Sequence, residues 1–309
     1  MPAHHAQRRP LVVAIARHSP SYGCALRQGR EALAFARHKQ SSGPDHVHIT
    51  VALHQDERVR KVRVIGPGRV GRSFMTVLAE KGWTVLPVLG RGCDLSAAAS
   101  GVDLLLITTP DDVIRHVALA VDPHPDAVVA HTAGAQTLDP LQPHPRRASL
   151  HPLASIPDPV VGAERLRRGC SFAVDGDEMA SEVVHLLQGR AFRVEPADRI
   201  SYHAAAAIAA NHLVALMGQV ERVAAQAGLP LDAYLDLAEQ TLANVRRLGP
   251  AAALTGPVAR GDWATVARHL AALAPEEAPA YRAMADQAAA LVSGCDRRAA
   301  APDDAEEVA

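Results

Sequence analysis

Residues 201–216, SYHAAAAIAANHLVAL, set a tyrosine, two histidines and an asparagine into a run otherwise built of serine, alanine and aliphatic side chains. A polar group in a buried helix must find a partner or cost about 1–3 kcal/mol. Tyr202, His203 and Asn211 therefore either bond within a core or face a pocket where something reacts. At about 100° and ~1.5 Å per residue, His203, Ala207 and Asn211 fall on one helical stripe, with the two polar residues roughly 12 Å apart. They cannot bond each other, but both can face one cleft, Asn211 near a substrate carbonyl and His203 farther along. Tyr202 points elsewhere and suits a capping role at the helix start, which also fits Asn211. A second titratable candidate is His151 in SLHPLASIPDP, after a short strand and at a loop edge. A third group is Thr255, Arg260 and Asp262 in LTGPVARGD, a break between two helices. Those letters make an anion-binding turn, or equally a helix cap with a salt bridge.

The elements that would position these residues begin with RKVRVIGPGRVGRSFMTVLAEKGWTVLPVLGR. Residues 61–65 alternate as a strand does, Val70, Phe74 and Leu78 follow a helical period, and WTVLPVL resumes an apolar strand. Between strand and helix, Gly66, Gly68 and Gly71 take the G-x-G-x-x-G spacing, with Pro67, Arg69 and Val70 completing the loop. Gly66 permits the tight turn, Gly68 lets a pyrophosphate approach the backbone, and Gly71 lets the helix pack closely on the strand. Such a loop predicts a dinucleotide. Position 91, at the end of the second strand, is arginine where an NAD(H) site places a carboxylate. A guanidinium suits a 2′-phosphate, so the expected cofactor is NADP(H). Asp94 would weaken that preference if it reached back to the ribose.

GVDLLLITTPDD reads as a buried strand broken at Pro110, DDVIRHVALAV as a helix with Asp111 and Asp112 in its first turn, and DAVVAHTAGA as a further strand ending in His131, Thr132 and Gly134. Strands alternating with helices predict an α/β fold with a doubly wound, mainly parallel Rossmann sheet, whose ligands lie at the strands' C-terminal ends. Thr108, Thr109, Pro110, Thr132 and Gly134 should then sit beside the nicotinamide half of the cofactor. From residue 197 the strand signals stop and an all-α domain follows. Its first helix, with Asp198 as N-cap and Gly228 as stop, is apolar almost all round and should be buried against neighbours or a second subunit. A homodimer is expected.

The chain of 309 residues carries a formal net charge of −1, which argues against nucleic acid or an electrostatically held membrane surface as partner. No uninterrupted apolar run approaches the ~20 residues of a membrane span. Cys24, Cys93, Cys170 and Cys295 form no CxxC pair, and the 16 histidines form no HxxxH or HExxH, so free thiols in a cytoplasmic protein and no metal site are expected. The apolar run near the N-terminus, LVVAIA, is too short for a signal peptide. The expected division is a poorly ordered extension over 1–58, a dinucleotide-binding domain over 59–196, a helical substrate and dimerisation domain over 197–293, and a disordered tail over 294–309.

Taken together, VIGPGRVGRSF, TTPDDVI, HTAGA, SLHPL, YHAAAAIAANHLVAL and ALTGPVARGDWATVARHLAAL resemble a Rossmann-like protein with a DUF2520 C-terminal domain, from about residue 59 to about 292. The group is similar in architecture to ketopantoate, pyrroline-5-carboxylate and 3-hydroxyacid enzymes. The resemblance implies an NADP-binding domain, a helical dimerising domain and a small keto or imino acid between them, with reduction of 2-dehydropantoate to pantoate as the leading specific reaction. Two positions depart from the pattern: Ala133 replaces a serine of the HTSGA turn, and Ala207 stands where related reductases carry a lysine one turn before the asparagine. Ketone reduction needs a general acid; His203 is the first candidate and His151 the second, with Asn211 orienting the carbonyl and Arg260 binding the carboxylate. An imine reductase of the pyrroline-carboxylate type is the enzymatic alternative, and a non-catalytic NADP-binding sensor or scaffold the third reading.

Overall fold

A computed structural model describes residues 59–299; the expected N-terminal extension 1–58, with Cys24, and residues 300–309 of the expected tail lie outside the described residues. Strands β1 (Lys61–Ile65), β2 (Thr84–Val85), β3 (Leu104–Ile107), β4 (Val128–His131), β5 (Arg147–Pro152), β6 (Ser171–Gly176) and β7 (Arg190–Arg193) form one sheet in the order β2-β1-β3-β4-β5-β6-β7. β1 to β5 pair in parallel, β6 runs antiparallel to β5, and β7 is parallel to β6. The sheet is thus the mainly parallel α/β sheet expected. β3 and β4 are buried along their whole length, which is why LLLI and VVAH show no alternation: helices cover both faces. One face carries α1 (Arg69–Glu80), α3 (Pro159–Arg167) and α4 (Met179–Leu186) over Val62, Val64 and Leu106; the other carries α2 (Ile114–Leu119) over Leu105, Ile107 and Val129.

The second strand is shorter than WTVLPVL suggests. Pro87 has no N–H to give the ladder, and the chain resumes contact only where Leu89 N donates to the Val64 carbonyl at 2.9 Å. Asp111 and Asp112 open a 3₁₀ turn rather than the α-helix itself, which starts at Ile114.

Beyond the sheet the chain is helical: α5 (Arg199–Ala207), α6 (Leu213–Gln226), α7 (Asp232–Leu248), α8 (Pro250–Ala253), α9 (Trp263–Ala272) and α10 (Ala278–Ala299). α10 therefore continues past residue 293. Instead of one regular helix over 199–226, a π turn at Ile208–His212 joins α5 to α6. Each i→i+5 turn takes up an additional residue and re-phases everything downstream, so the stripe drawn through Ala207 and Asn211 does not continue as a straight wheel predicts. Asp198 occupies the N-cap position without a side-chain cap bond. Gly228, at φ 69°, ends the helix as its position suggested.

The burial expected for this helix is absent within one chain. Its most apolar window is 0% buried, and Ile200, Ile208 and Val214 are exposed. By length and composition the helical path Pro196–Gln226 is apolar enough to cross a membrane, its most apolar 18-residue window having a mean hydropathy of 1.3, even though its uninterrupted apolar runs are short. Alanine supplies that hydropathy while the polar residues stay scattered. Three of them have protein partners: Arg199 donates to Ser149 on the sheet, and Gln219 and Arg222 donate to Glu277 at the foot of α10.

Candidate active site

The loop after β1 is shaped by its glycines. Gly66 has φ +102°, and a side chain there would lie 3.0 Å from the Thr108 carbonyl. A Cβ on Gly71 would drive into the Gly66 carbonyl and the Thr108 hydroxyl, while Gly68 faces open space. Thr108 Oγ1 donates to the Gly66 carbonyl at 2.7 Å, tying the end of β3 to the loop. Gly68 is the N-cap of α1, with no side-chain cap and no acidic residue in the first turn, so the N–H groups of Arg69, Val70 and Gly71 remain for an anion.

A cavity of about 920 Å³ runs over this loop, from Arg91 and Asp94 at one end past Pro67 and Gly68 to Thr108, Thr109 and Pro110 at the other. The buried Thr109 hydroxyl has no partner within the protein. An uncapped helix terminus, open space above Gly68 and an orphaned hydroxyl together fit a phosphate-bearing dinucleotide. Asp94 accepts the Ser96 N–H at 3.0 Å, and these bonds hold its carboxyl below the usual range. Its Oδ1 is committed to its own loop, and Arg91 is the guanidinium that lines the same end of the cavity.

The ends of β3, β4 and β5 lie side by side, with Ile107 opposite His131 and His131 opposite Ser149. His131 is fully buried: its Nδ1 accepts the Ala133 N–H at 3.2 Å and its Nε2 donates to the Thr137 carbonyl at 2.9 Å. Burial pushes its pKa down to about 4. This ring pins the turn holding Thr132 and Gly134 across the sheet edge. A Cβ on Gly134 would fall 2.6 Å from His203 Nδ1 and 3.0 Å from His151 Nε2, so two imidazoles converge on that glycine.

His151 belongs to β5 itself, not to a loop beyond it. Its ring lies 5.9 Å from that of His203 and 5.6 Å from that of Tyr202, with 2.7 Å between its Nδ1 and the phenol oxygen. Burial first, and then the neighbouring His203, Arg199 and His131, push its pKa down to about 4. It is neutral at pH 7. Tyr202 therefore does not point away from the site, contrary to the helical-wheel expectation. Tyr202 and His203 diverge by about 100° on α5, and the His151 ring lies where both can reach it.

Two further residues belong to the cluster: Arg199, not singled out from the sequence, and Asp111, placed from the sequence in the first turn of a helix. Arg199 is 0% exposed; its Nη1 donates to Ser149 Oγ at 2.9 Å and its Nη2 lies 3.6 Å from Asp175, while its Nε has no hydrogen-bond partner. Asp111 feels His203 electrostatically, but burial dominates and raises its carboxyl pKa. Either residue taken alone carried no sequence signal beyond helix-terminus charge.

The remaining nominees lie elsewhere. Asn211 is exposed within the π turn. Asp262 is the N-cap of α9, accepting the Thr265 N–H at 3.0 Å and its hydroxyl at 2.7 Å. The capping reading of LTGPVARGD thus holds for Asp262. Thr255 and Arg260 are exposed, and Arg260 faces Asp262 on its own turn. Ala133 is 6% exposed and packs in the apolar cluster with Ile107 and Leu141, so its missing hydroxyl opens no gap at the cleft. Among the described residues no group of three His, Cys, Asp or Glu could hold a metal ion.

No curated protein matches the chain. Among solved structures, a Bacteroides fragilis protein described as a "putative NADP oxidoreductase" superposes with a TM-score of 0.64 at 19% identity, covering 75% of this chain and 98% of that one. A reductive aminase from Aspergillus terreus gives 0.57 at 13% identity, over 78% of this chain and 100% of its own. A Plasmodium falciparum pyrroline carboxylate reductase with NADP bound gives 0.51 at 11%, over 75% and 98%. At these identities the likeness is one of fold, a Rossmann-like sheet followed by helices. Residues 170–288 match DUF2520, a domain of unknown function, beginning at β6 rather than at the first helix beyond the sheet. The chain thus has a Rossmann-like fold, and its segment from the antiparallel strand into α10 is similar to DUF2520.

Proposed function

We propose that this protein is an NADPH-dependent oxidoreductase that reduces a small 2-keto acid. The observation that carries the reading is adjacency: the cavity over the glycine loop reaches Thr108–Pro110 after β3, and His151 and His203 converge on Gly134 beside the ends of the next two strands. The uncapped terminus of α1 would hold the pyrophosphate, Arg91 a 2′-phosphate, and the Thr109 hydroxyl the nicotinamide end. Bound there, the dinucleotide supplies hydride. The chain's own residues then hold the carbonyl and deliver one proton, with His151 and His203 as donors at the cleft. Within the substrate class, 2-dehydropantoate is the candidate to which the family resemblance points. The enzyme would work in the cytoplasm.

The exposed apolar face of α5 and α6 supports a homodimer, because a second copy would cover Ile200, Ile208 and Val214. Thr255 and Arg260 keep a role toward the substrate carboxylate only through such a dimer. Imine reduction is the second reading, and one feature favours it: His151 is neutral, and an imine that arrives protonated needs no strong acid. A sensor that binds NADP(H) without turnover is the third.

Parallel fluorescence titrations with NADPH and NADH test the cofactor assignment. NADPH should bind more tightly, and Arg91→Ala should weaken NADPH by about 10-fold or more while leaving NADH little changed. Equal losses would remove the 2′-phosphate assignment, and absence of binding to either would remove the reductase. Screening keto acids against cyclic imines then separates the two enzymatic readings.

A further inference from the structure

We propose that Tyr202, His151 and Arg199 form a proton relay into the cleft, in which the phenol rather than an imidazolium is the source of the proton. The inference rests on the reductase reading and names the origin of the proton that reading requires.

The geometry is that of a bridge. His151 Nδ1 is 2.7 Å from the Tyr202 hydroxyl, while Nε2 lies on the opposite edge of the ring, against Gly134 and beside His203. A neutral imidazole carries one N–H. When the phenol donates to Nδ1, that N–H must be on Nε2, the edge that faces the cleft. An imidazole that gives up its only proton becomes an anion unless its other nitrogen is reprotonated in the same motion, and Tyr202 is placed to do this.

The charges around the pair favour that direction. His203 on α5, Arg199 on α5 and His131 on β4 all disfavour an imidazolium at position 151. Arg199 instead favours a phenolate at Tyr202, although burial holds the phenol above its usual range overall. Asp175 on β6 only partly offsets Arg199, at 3.6 Å, and Asp111 and Asp112 act beyond His203. A buried guanidinium with its Nε unpaired thus finds a use as the counter-charge to a transient phenolate.

The step balances. Hydride adds to the carbonyl carbon; the alkoxide forms an O–H bond with the Nε2 proton; the Nε2–H bond breaks; Nδ1 takes the phenol proton; and the Tyr202 O–H bond breaks. To reset the relay, solvent delivers one proton to Nε2 while the Nδ1 proton returns to the phenolate, which restores the phenol and the starting tautomer together. His151 is the residue that would touch the substrate, and Tyr202 acts through it.

Tyr202→Phe keeps the ring edge that packs against His151 and Phe192 and deletes only the hydroxyl. With the full-length protein, a keto acid that wild type reduces and saturating NADPH, we expect an unchanged NADPH Kd and a fall in kcat of about 10²-fold. The rate of wild type plotted against deuterium fraction should bow, as for two protons in flight, and become straight in the variant. Independently of any substrate, ¹⁵N NMR of the wild-type protein at pH 7 should show His151 protonated at Nε2 alone. A straight wild-type plot, a variant with wild-type kcat, or a proton on Nδ1 would overturn the relay and leave the reductase standing. Failure of the wild type to bind NADPH, or to turn over any keto or imino acid, would overturn the reductase and the relay with it.

Discussion

Acid should unfold this protein in a pH range where carboxylates are still largely ionised, and two histidines set the size of the effect. Burial pushes both His131 and His151 from 6.5 to about 4 in the folded state, whereas in the unfolded chain each titrates near 6.5. Between those values the unfolded chain binds protons that the folded chain refuses, so stability falls as the pH drops. The contribution is complete above pH 6.5 and is lost progressively down to pH 4. Each histidine accounts for about 2 kcal/mol by pH 5 and about 3 kcal/mol by pH 4. The pair together is comparable with a typical folding free energy of about 5–15 kcal/mol. His144, held below its usual range by burial, acts in the same direction. Urea unfolding at constant ionic strength, at pH 7, 6 and 5, reads the effect as a falling midpoint. His131→Gln removes one titrating ring from the pair and should flatten the slope by about half. A midpoint that does not move between pH 6.5 and 5, or equal slopes in wild type and variant, would refute the claim that these rings are buried neutral.

Further substitutions separate the parts of the site. Gly71→Ala has no space against the Gly66 carbonyl and Thr108, so it should cost about 1–3 kcal/mol by thermal unfolding and abolish NADPH binding. Gly134→Ala places a methyl 2.6 Å from His203 Nδ1 and 3.0 Å from His151 Nε2; the protein should fold and bind NADPH normally, yet lose turnover by about 10²-fold through displacement of the two imidazoles. Asp262→Ala deletes the cap of α9 and should lower the Tm with no change in cofactor affinity, since Asp262 lies outside the cavity.

The glycine loop was legible because its constraints are local. Gly66, Gly68 and Gly71 answer to one turn, and the residue that crowds two of them, Thr108, sits at the end of the adjacent strand in any sheet of this topology. Strands β1, β3, β4 and β5 were legible for the same reason, whereas Pro87 cut β2 short and β6 and β7 were not read from the sequence. The cluster around Gly134 is different. His151 and His203 could be named one at a time, from a strand end and from an alanine helix, but their meeting depends on a pinned turn between them. A helical wheel cannot show that Tyr202 and His203 share a target, because the target belongs to β5.

Arg199 and the π turn lay beyond sequence reading altogether. An arginine beside Asp198 looks like a solvated helix start, and nothing in the sequence shows that β6 places Asp175 under it. Nothing in an alanine-rich run announces an i→i+5 turn. Yet each is a local rule broken: a guanidinium at 0% exposure, aromatic and imidazole rings in an alanine helix, and a widened turn around Asn211. Buried charge and irregular helix are costly in isolation, and sequences that keep them do so where function or strain requires it. The buried charge and the rings meet where α5 crosses the ends of β4 and β5. Packing alone would be served as well by a methionine at 199 and a leucine at 202, so the polar pair argues that this junction was built around a proton.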